Sequence, residues 1–348
     1  MANLATRKFI LKTLLSLPTP ILRALSGGGV TYRAGATLDP RLQFLTAAAQ
    51  RAPAMSTLSP EAARRASAEG LASMTGPTEN GVRIESLTIP GPDGPISARS
   101  YRPVVQDPVL PVMVFAHFGG GVIGDLATSE TFCTLLAKIV QTAVVSVDYR
   151  LAPEHRFPEG LDDVALAFGW VRDHADHFGG TPGRAALGGD SMGGNFTAVI
   201  CQDLRAAGLP QPDLQLLIYP CTDAASESQS MTTHADAFPL SRATMDWFIG
   251  HYVGPGVSPT EIRLSPLRAD SLRDLAPAVV ITAGFDPLVD QGEAYAKRLK
   301  DAGVPVTYRC YDTLTHGFTA MTGVVPAADV ACREIAGLVR LGVEGRFG

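Results

Sequence analysis

From residue 82 onward, short runs of Val, Ile, Leu and Ala alternate with longer amphipathic stretches, and few folds accommodate that pattern. Residues 83–89 and 96–101 read as two strands around the turn cluster Gly91-Pro92-Asp93-Gly94-Pro95. Further strands are expected over 112–116, 143–147, 184–187, 214–219, 278–282 and 304–311. Helices are expected over 129–140, 161–174, 195–206, 292–302 and 327–341. Uninterrupted apolar strands separated by helices predict an α/β fold, a mostly parallel sheet covered by helices on both faces. With 348 residues, 46% of them hydrophobic, the chain can bury one large core or a core with an appended lobe.

Within that alternation lies Gly189-Asp190-Ser191-Met192-Gly193, a G-x-S-x-G pentapeptide between an apolar run and a helical stretch. A serine on a tight strand-to-helix turn is pushed clear of the sheet, and flanking glycines let the backbone make the turn. A serine hydroxyl is a weak nucleophile at neutral pH. It needs a base to take its proton and a third group to orient that base. Downstream of Ser191 the histidines are His234, His251 and His316. His316 follows the last expected strand, where a base would hang over the carboxyl edge of the sheet. His234 and His251 fall in a different segment and suit surface or pocket-lining positions. For the acid, Asp286 follows the strand 278–282 and is the first choice, with Asp290 the second. Upstream, His117-Phe118-Gly119-Gly120-Gly121 follows the strand 112–116 and offers backbone N–H groups for an oxyanion. Gly119, Gly120 and Met192, the residue after the serine, are the candidate donors.

A net charge of −5 argues against a nucleic-acid partner. Five scattered cysteines without a C-x-x-C pair suit reduced, mostly buried thiols and a cytoplasmic protein. The N-terminus reads as one or two amphipathic helices over 9–25, with Pro20 at a helix start. Their apolar face is expected to pack on the protein, with export or peripheral membrane association as the alternative. No apolar run reaches the roughly 18 residues of a spanning helix, so stable membrane insertion is not expected. His174-x-x-His177 lacks a third ligand and reads as exposed helix histidines, so no metal is expected. Between 222 and 264 the strand pattern stops, and Met245-Asp246-Trp247-Phe248-Ile249-Gly250-His251-Tyr252 forms a compact aromatic helix. It is expected to join the N-terminal helices as a lid over the sheet.

At this point the chain resembles the bacterial hormone-sensitive-lipase-like esterases of the α/β-hydrolase fold. The resemblance rests on five ordered motifs: His117-x-Gly119-Gly120, Asp148-Tyr149-Arg150-Leu151-Ala152-Pro153-Glu154, Gly189-Asp190-Ser191-x-Gly193-Gly194, Gly284-Phe285-Asp286-Pro287-Leu288 and His316-Gly317-Phe318. It implies hydrolysis of a small carboxylic ester through an acyl-serine, with no cofactor. It also implies a triad of Ser191, Asp286 and His316 and an oxyanion hole at Gly119, Gly120 and Met192. Acyl chains of short to medium length are expected on the same ground. The expected organisation is N-terminal cap helices over 1–60, a catalytic domain over 61–221 and 266–348, and a cap insert over 222–265. Phe118, Trp247, Phe248 and Tyr252 are candidate pocket walls, and a homodimer is left open.

The chain departs from the family in two places. Phe118 stands where the first glycine of His-Gly-Gly-Gly-aromatic is usual, with Gly121 at the aromatic position, and Met192 replaces the more usual alanine. Gly124 keeps the usual spacing from His117. Asp148 and Arg150 are expected to form structural pairs. Two other readings compete. Gly119-Gly120-Gly121-Val122-Ile123-Gly124 matches a dinucleotide-binding G-x-G-x-x-G, with Asp148 ending the next strand, but this leaves Ser191, Asp286 and His316 without a role. A non-catalytic receptor on the same fold would not need His316.

Overall fold

The computed structural model describes residues 3–33, 35–107 and 109–347. Four helices come first: α1 (Leu4–Leu15), α2 (Thr19–Leu25), α3 (Pro40–Ala49) and α4 (Pro60–Met74), with a short hairpin of β1 (Tyr32–Arg33) and β2 (Ala36–Thr37) between α2 and α3. Local chemistry starts each helix. The Asn3, Asp39 and Ser59 side chains accept hydrogen bonds from the first-turn N–H groups of α1, α3 and α4. Pro40 and Pro60 open α3 and α4, where a missing N–H costs nothing.

The remaining chain builds one eight-stranded sheet, ordered β10-β9-β8-β7-β5-β6-β4-β3. Its strands are β3 (Val82–Ile89), β4 (Ile96–Pro103), β5 (Val112–Ala116), β6 (Val144–Val147), β7 (Ala185–Asp190), β8 (Gln215–Ile218), β9 (Ala278–Phe285) and β10 (Val306–Thr315). β5 through β10 run parallel, and β4 and β3 add an antiparallel edge. The interleaved helices are α5 (Glu130–Val140), α6 (Glu159–Asp173), α7 (Met192–Ala206), α8 (Gln229–Thr233), α9 (Arg242–Tyr252), α10 (Val289–Asp301) and α11 (Pro326–Val343). Every residue of β5 is buried, and its side chains alternate between two cores. Met113 and Phe115 meet α5 and α11, whereas Val112, Val114 and Ala116 meet α6 and α7.

The expected α/β architecture is met, with boundaries shifted by a few residues. β10 extends to Thr315 because a register irregularity between Tyr311 and Thr315 lets it run on beside β9. Residues 222–264 hold α8 and α9 and no strand among the described residues, as expected. The hairpin at 32–37 was not anticipated, since each of its strands is too short to show a period. Helices α1, α2 and α3 pack around Leu15, Leu22, Leu42 and Leu45 into the same core as Phe318 and Met321, whereas Ala63 of α4 joins the core on the other face of the sheet. No helix among the described residues is long and apolar enough to cross a membrane. Cys133, Cys201 and Cys332 are buried, Cys221 and Cys310 half-buried, and all five are free thiols.

Candidate active site

Parallel strands expose their carboxyl ends along one edge, and four loops meet there: after β5, β7, β9 and β10. The turn after β7 is the sharpest. Ser191 has φ 55° and ψ −112°, a left-handed backbone that costs a non-glycine residue about 1–3 kcal/mol. Its N–H donates to Ile218 O (2.8 Å), which pins the turn to β8. The flanking glycines are required by space. A Cβ on Gly193 would collide with the Ala116 carbonyl, and one on Gly189 would strike the Gly193 backbone. Gly193→Ala is therefore expected to destabilise the protein by about 4 kcal/mol or more. Its denaturation midpoint in urea should fall sharply, and an unchanged midpoint would mean that the turn relaxes freely.

The expected convergence of Ser191, Asp286 and His316 is present. Asp286 follows β9 and His316 follows β10. His316 Nδ1 lies 2.7 Å from Asp286 Oδ2, and His316 Nε2 lies 2.9 Å from Ser191 Oγ. All three are buried. A carboxylate can only accept, so Nδ1 carries the hydrogen and the Nε2 lone pair faces the serine hydroxyl. The second oxygen of Asp286 accepts from Leu288 N–H (2.9 Å), which holds the carboxylate plane. Asp290, the alternative acid, lies elsewhere: its Oδ2 accepts from Ser230 N–H (2.7 Å) and ties α8 to α10. His234 is buried against Phe285, and His251 packs on Trp247; neither contacts Ser191.

The loop after β5 is glycine-rich for steric reasons as well. Gly119, Gly120, Gly121 and Gly124 all have positive φ. A Cβ on Gly124 would sit 2.5 Å from the His117 ring, which explains the spacing between these two residues. His117 is fully buried, and its Nδ1–H donates to Phe118 O (2.7 Å) while the ring stacks on Tyr149. Burial lowers its pKa, so it stays neutral and braces the loop. Phe248 of α9 presses on Gly120, and a Cβ on Gly121 would come within 2.6 Å of the Tyr252 ring. Trp247 is half-buried with its ring against Phe248. Met192 opens α7, where the first N–H groups have no partner within the helix. Pro239, in the segment between α8 and α9, sits beside Gly317.

The block after β6 joins the same loop through Ala152, whose N–H donates to Gly121 O (2.8 Å), and Arg150 forms the expected structural pairs. Its guanidinium binds Asp163 (2.8 Å) and Glu159 (2.8 Å). Asp148, against expectation, has no ion pair among the described residues: its N–H donates to Ser97 O (2.9 Å), and burial raises its carboxyl pKa. Arg64 of α4, which the motifs did not reveal, donates to Val122 O, Ala152 O and Glu154. It holds the Glu154 carboxyl down at about 2. His174 is half-buried and not exposed as expected, because it caps the end of α6 and stacks on Trp170, while His177 is exposed one turn on. No group of three or more candidate metal ligands occurs among the described residues.

Sequence reasoning also missed Asp190. This carboxylate is fully buried directly under the serine, and its Oδ2 accepts from Tyr219 and Thr319 hydroxyls, both at 2.9 Å. Tyr219 itself has φ 35° and leans its ring on His316 (4.6 Å). The turns after β7, β8 and β10 are thus tied to one anion. Burial pushes the Asp190 carboxyl up to about 6, against the hydroxyl bonds that favour the charge. The native state therefore holds this proton more tightly than the unfolded chain, whose carboxyl titrates near about 3.9. The stability it contributes is present at low pH and is lost as pH rises through about 6. Asp190→Asn keeps an acceptor and removes the charge. It is expected to raise the thermal midpoint at pH 7.5, with the gain vanishing near pH 4.5. A lower midpoint at both pH values would contradict this electrostatic account.

The dinucleotide reading requires a helix to open on the third glycine. Here α5 begins only at Glu130, well past Gly124, so the loop does not form that cradle.

Comparisons agree with the geometry. Residues 113–320 match the family model described as alpha/beta hydrolase fold. The chain is 43% identical to the carboxylic ester hydrolase LipN of Mycobacterium tuberculosis, over 88% of this chain and 84% of that one. It is 35% identical to an ethyl acetate hydrolase of Pseudomonas putida, over 79% and 88%. Among solved structures it is similar to an ester hydrolase from the metagenome of Lake Arreo, with a TM-score of 0.84 and 40% identity over 87% of this chain and 98% of that one. An esterase of Pseudomonas putida gives a TM-score of 0.83 and 33% identity, over 88% and 98%. With its five motifs gathered on one sheet edge and these relatives alongside, the chain belongs to the hormone-sensitive-lipase-like carboxylesterase family of the α/β-hydrolase fold.

Proposed function

We propose that this chain hydrolyses carboxylic esters of short to medium acyl length, with Ser191 as nucleophile. The observation that carries the reading is the continuous line from Ser191 Oγ through His316 to Asp286, closed at 2.9 and 2.7 Å. Ser191 Oγ attacks the ester carbonyl as His316 Nε2 takes its proton. Asp286 holds the imidazole in the required tautomer and stabilises the imidazolium that forms. His316 then gives the proton to the departing alkoxide, which leaves an acyl-serine. Water, deprotonated by the same imidazole, attacks that ester, and collapse returns the proton to Ser191. The oxyanion of each tetrahedral intermediate is bound by the backbone N–H groups of Gly119, Gly120 and Met192.

Residues 1–60 and 222–265 act as a cap over this edge. The reading is supported by Phe248 and Tyr252 packing on the glycine loop, by Pro239 beside Gly317, and by the Arg33–Asp236 ion pair joining the two segments. Phe118, Trp247, Phe248 and Tyr252 then wall a pocket of limited length. A series of p-nitrophenyl esters tests this. Turnover should be highest for short to medium acyl chains and fall for the long ones, and Phe118→Gly should move the optimum to longer chains. Binding without any turnover across the series would favour a receptor on the same fold and defeat the proposal.

A further inference from the structure

Residues 1–38 carry Arg7, Lys8, Lys12, Arg23 and Arg33 and no acidic residue, although the whole chain has a net charge of −5. Residues 39–348 therefore carry −10, and the molecule is strongly polarised in charge. The same short segment is unusually greasy on its outside. Seven of the fourteen exposed large hydrophobics among the described residues lie between Leu4 and Tyr32, led by Phe9 at 71% exposure. A patch of that kind on a folded protein marks something it touches.

Helix α1 shows how the patch is built. Its inner face is Arg7, Leu11, Leu14 and Leu15, with Leu15 fully buried in the main core. Phe9 falls on the opposite side by helical geometry, with Ile10 next to it, and both are exposed. Lys8 and Lys12, one turn apart, lie together on one flank of Phe9 and are exposed. Arg7 and Arg33 are engaged by Glu69 and Asp236. The outer side of α1 thus presents Phe9, with Lys8 and Lys12 along one flank and Ile10 on the other.

We propose that α1 and α2 form a peripheral docking face for an anionic lipid surface. Phe9 and Ile10 enter the headgroup boundary while Lys8 and Lys12 reach lipid phosphates. The acidic remainder is repelled by the same surface, which orients the molecule with α1 and α2 inward. A second copy of the chain fits this face poorly, because an isologous contact would bring together two segments that carry only positive charge.

Flotation of the full-length protein with vesicles of phosphatidylglycerol or of phosphatidylcholine tests the proposal. Binding is expected to the anionic vesicles, weakening as salt is raised. Each lysine contributes roughly fivefold, so Lys8→Glu with Lys12→Glu should weaken binding by about 25-fold or more. Phe9→Ser with Ile10→Ser should also release the protein, while hydrolysis of a water-soluble ester stays unchanged in both variants. The proposal is overturned by absence of binding to phosphatidylglycerol, or by binding that neither pair of substitutions alters. A sedimentation-velocity dimer that the Phe9/Ile10 variant dissociates, without vesicle binding in the wild type, would assign the face to a second copy instead.

Discussion

Ser191→Ala is expected to lower p-nitrophenyl acetate turnover by on the order of 10⁴-fold or more while the protein stays folded. The substitution removes Oγ and little else. Alanine at φ 55° carries the same backbone strain as serine, and the Ser191 N–H bond to Ile218 does not involve the side chain. The neighbouring glycines already accommodate a Cβ at position 191. Loss of activity with an unchanged thermal midpoint is therefore the signature of a missing nucleophile. Residual turnover within tenfold of wild type would show that another group attacks the ester.

Asp286→Asn is expected to cost about 10³–10⁴ in turnover, by a different route. The amide is nearly the same size, and its oxygen can still accept from Leu288 N–H. Its NH₂ then faces His316 Nδ1. Two donors cannot share that contact, so the imidazole changes tautomer and its Nε2 hydrogen points at Ser191. The base is lost although the ring remains in place. Because Asp286 is fully buried, no water substitutes for the carboxylate. Asp290→Asn is the control. That carboxylate caps Ser230 N–H and does not reach His316, so turnover should stay within roughly tenfold of wild type. A larger loss at Asp290 than at Asp286 would reverse the assignment of the acid.

How much of this was legible in the sequence follows from range. The strands announced themselves because a parallel strand is buried on both faces and needs a solid apolar run. β5, Val-Met-Val-Phe-Ala, is the plainest case. The turns around Ser191, Asp286 and His316 were legible because each follows such a strand and because steric need leaves glycines behind. Gly193 and Gly124 mark places where a Cβ has no room.

What escaped is whatever depends on segments meeting far from one another in the chain. Asp190 looks like a spacer within the pentapeptide, and only the arrival of Tyr219 and Thr319 makes it a buried hub. Arg64 is one basic residue on an Ala-rich helix until its guanidinium meets the carbonyls of Val122 and Ala152. Phe248 and Tyr252 were anticipated as aromatics near the site. Their contact with Gly120 and Gly121 offers a physical reason for a glycine at 121, since the Tyr252 ring occupies the space a side chain there would need.

The most direct test of the proposed relay is covalent. A fluorophosphonate placed on the enzyme should leave one adduct, mapped by mass spectrometry to Ser191, and labelling should slow by orders of magnitude in His316→Ala. An adduct on a different residue, or labelling of Ser191 at an undiminished rate without His316, would contradict it.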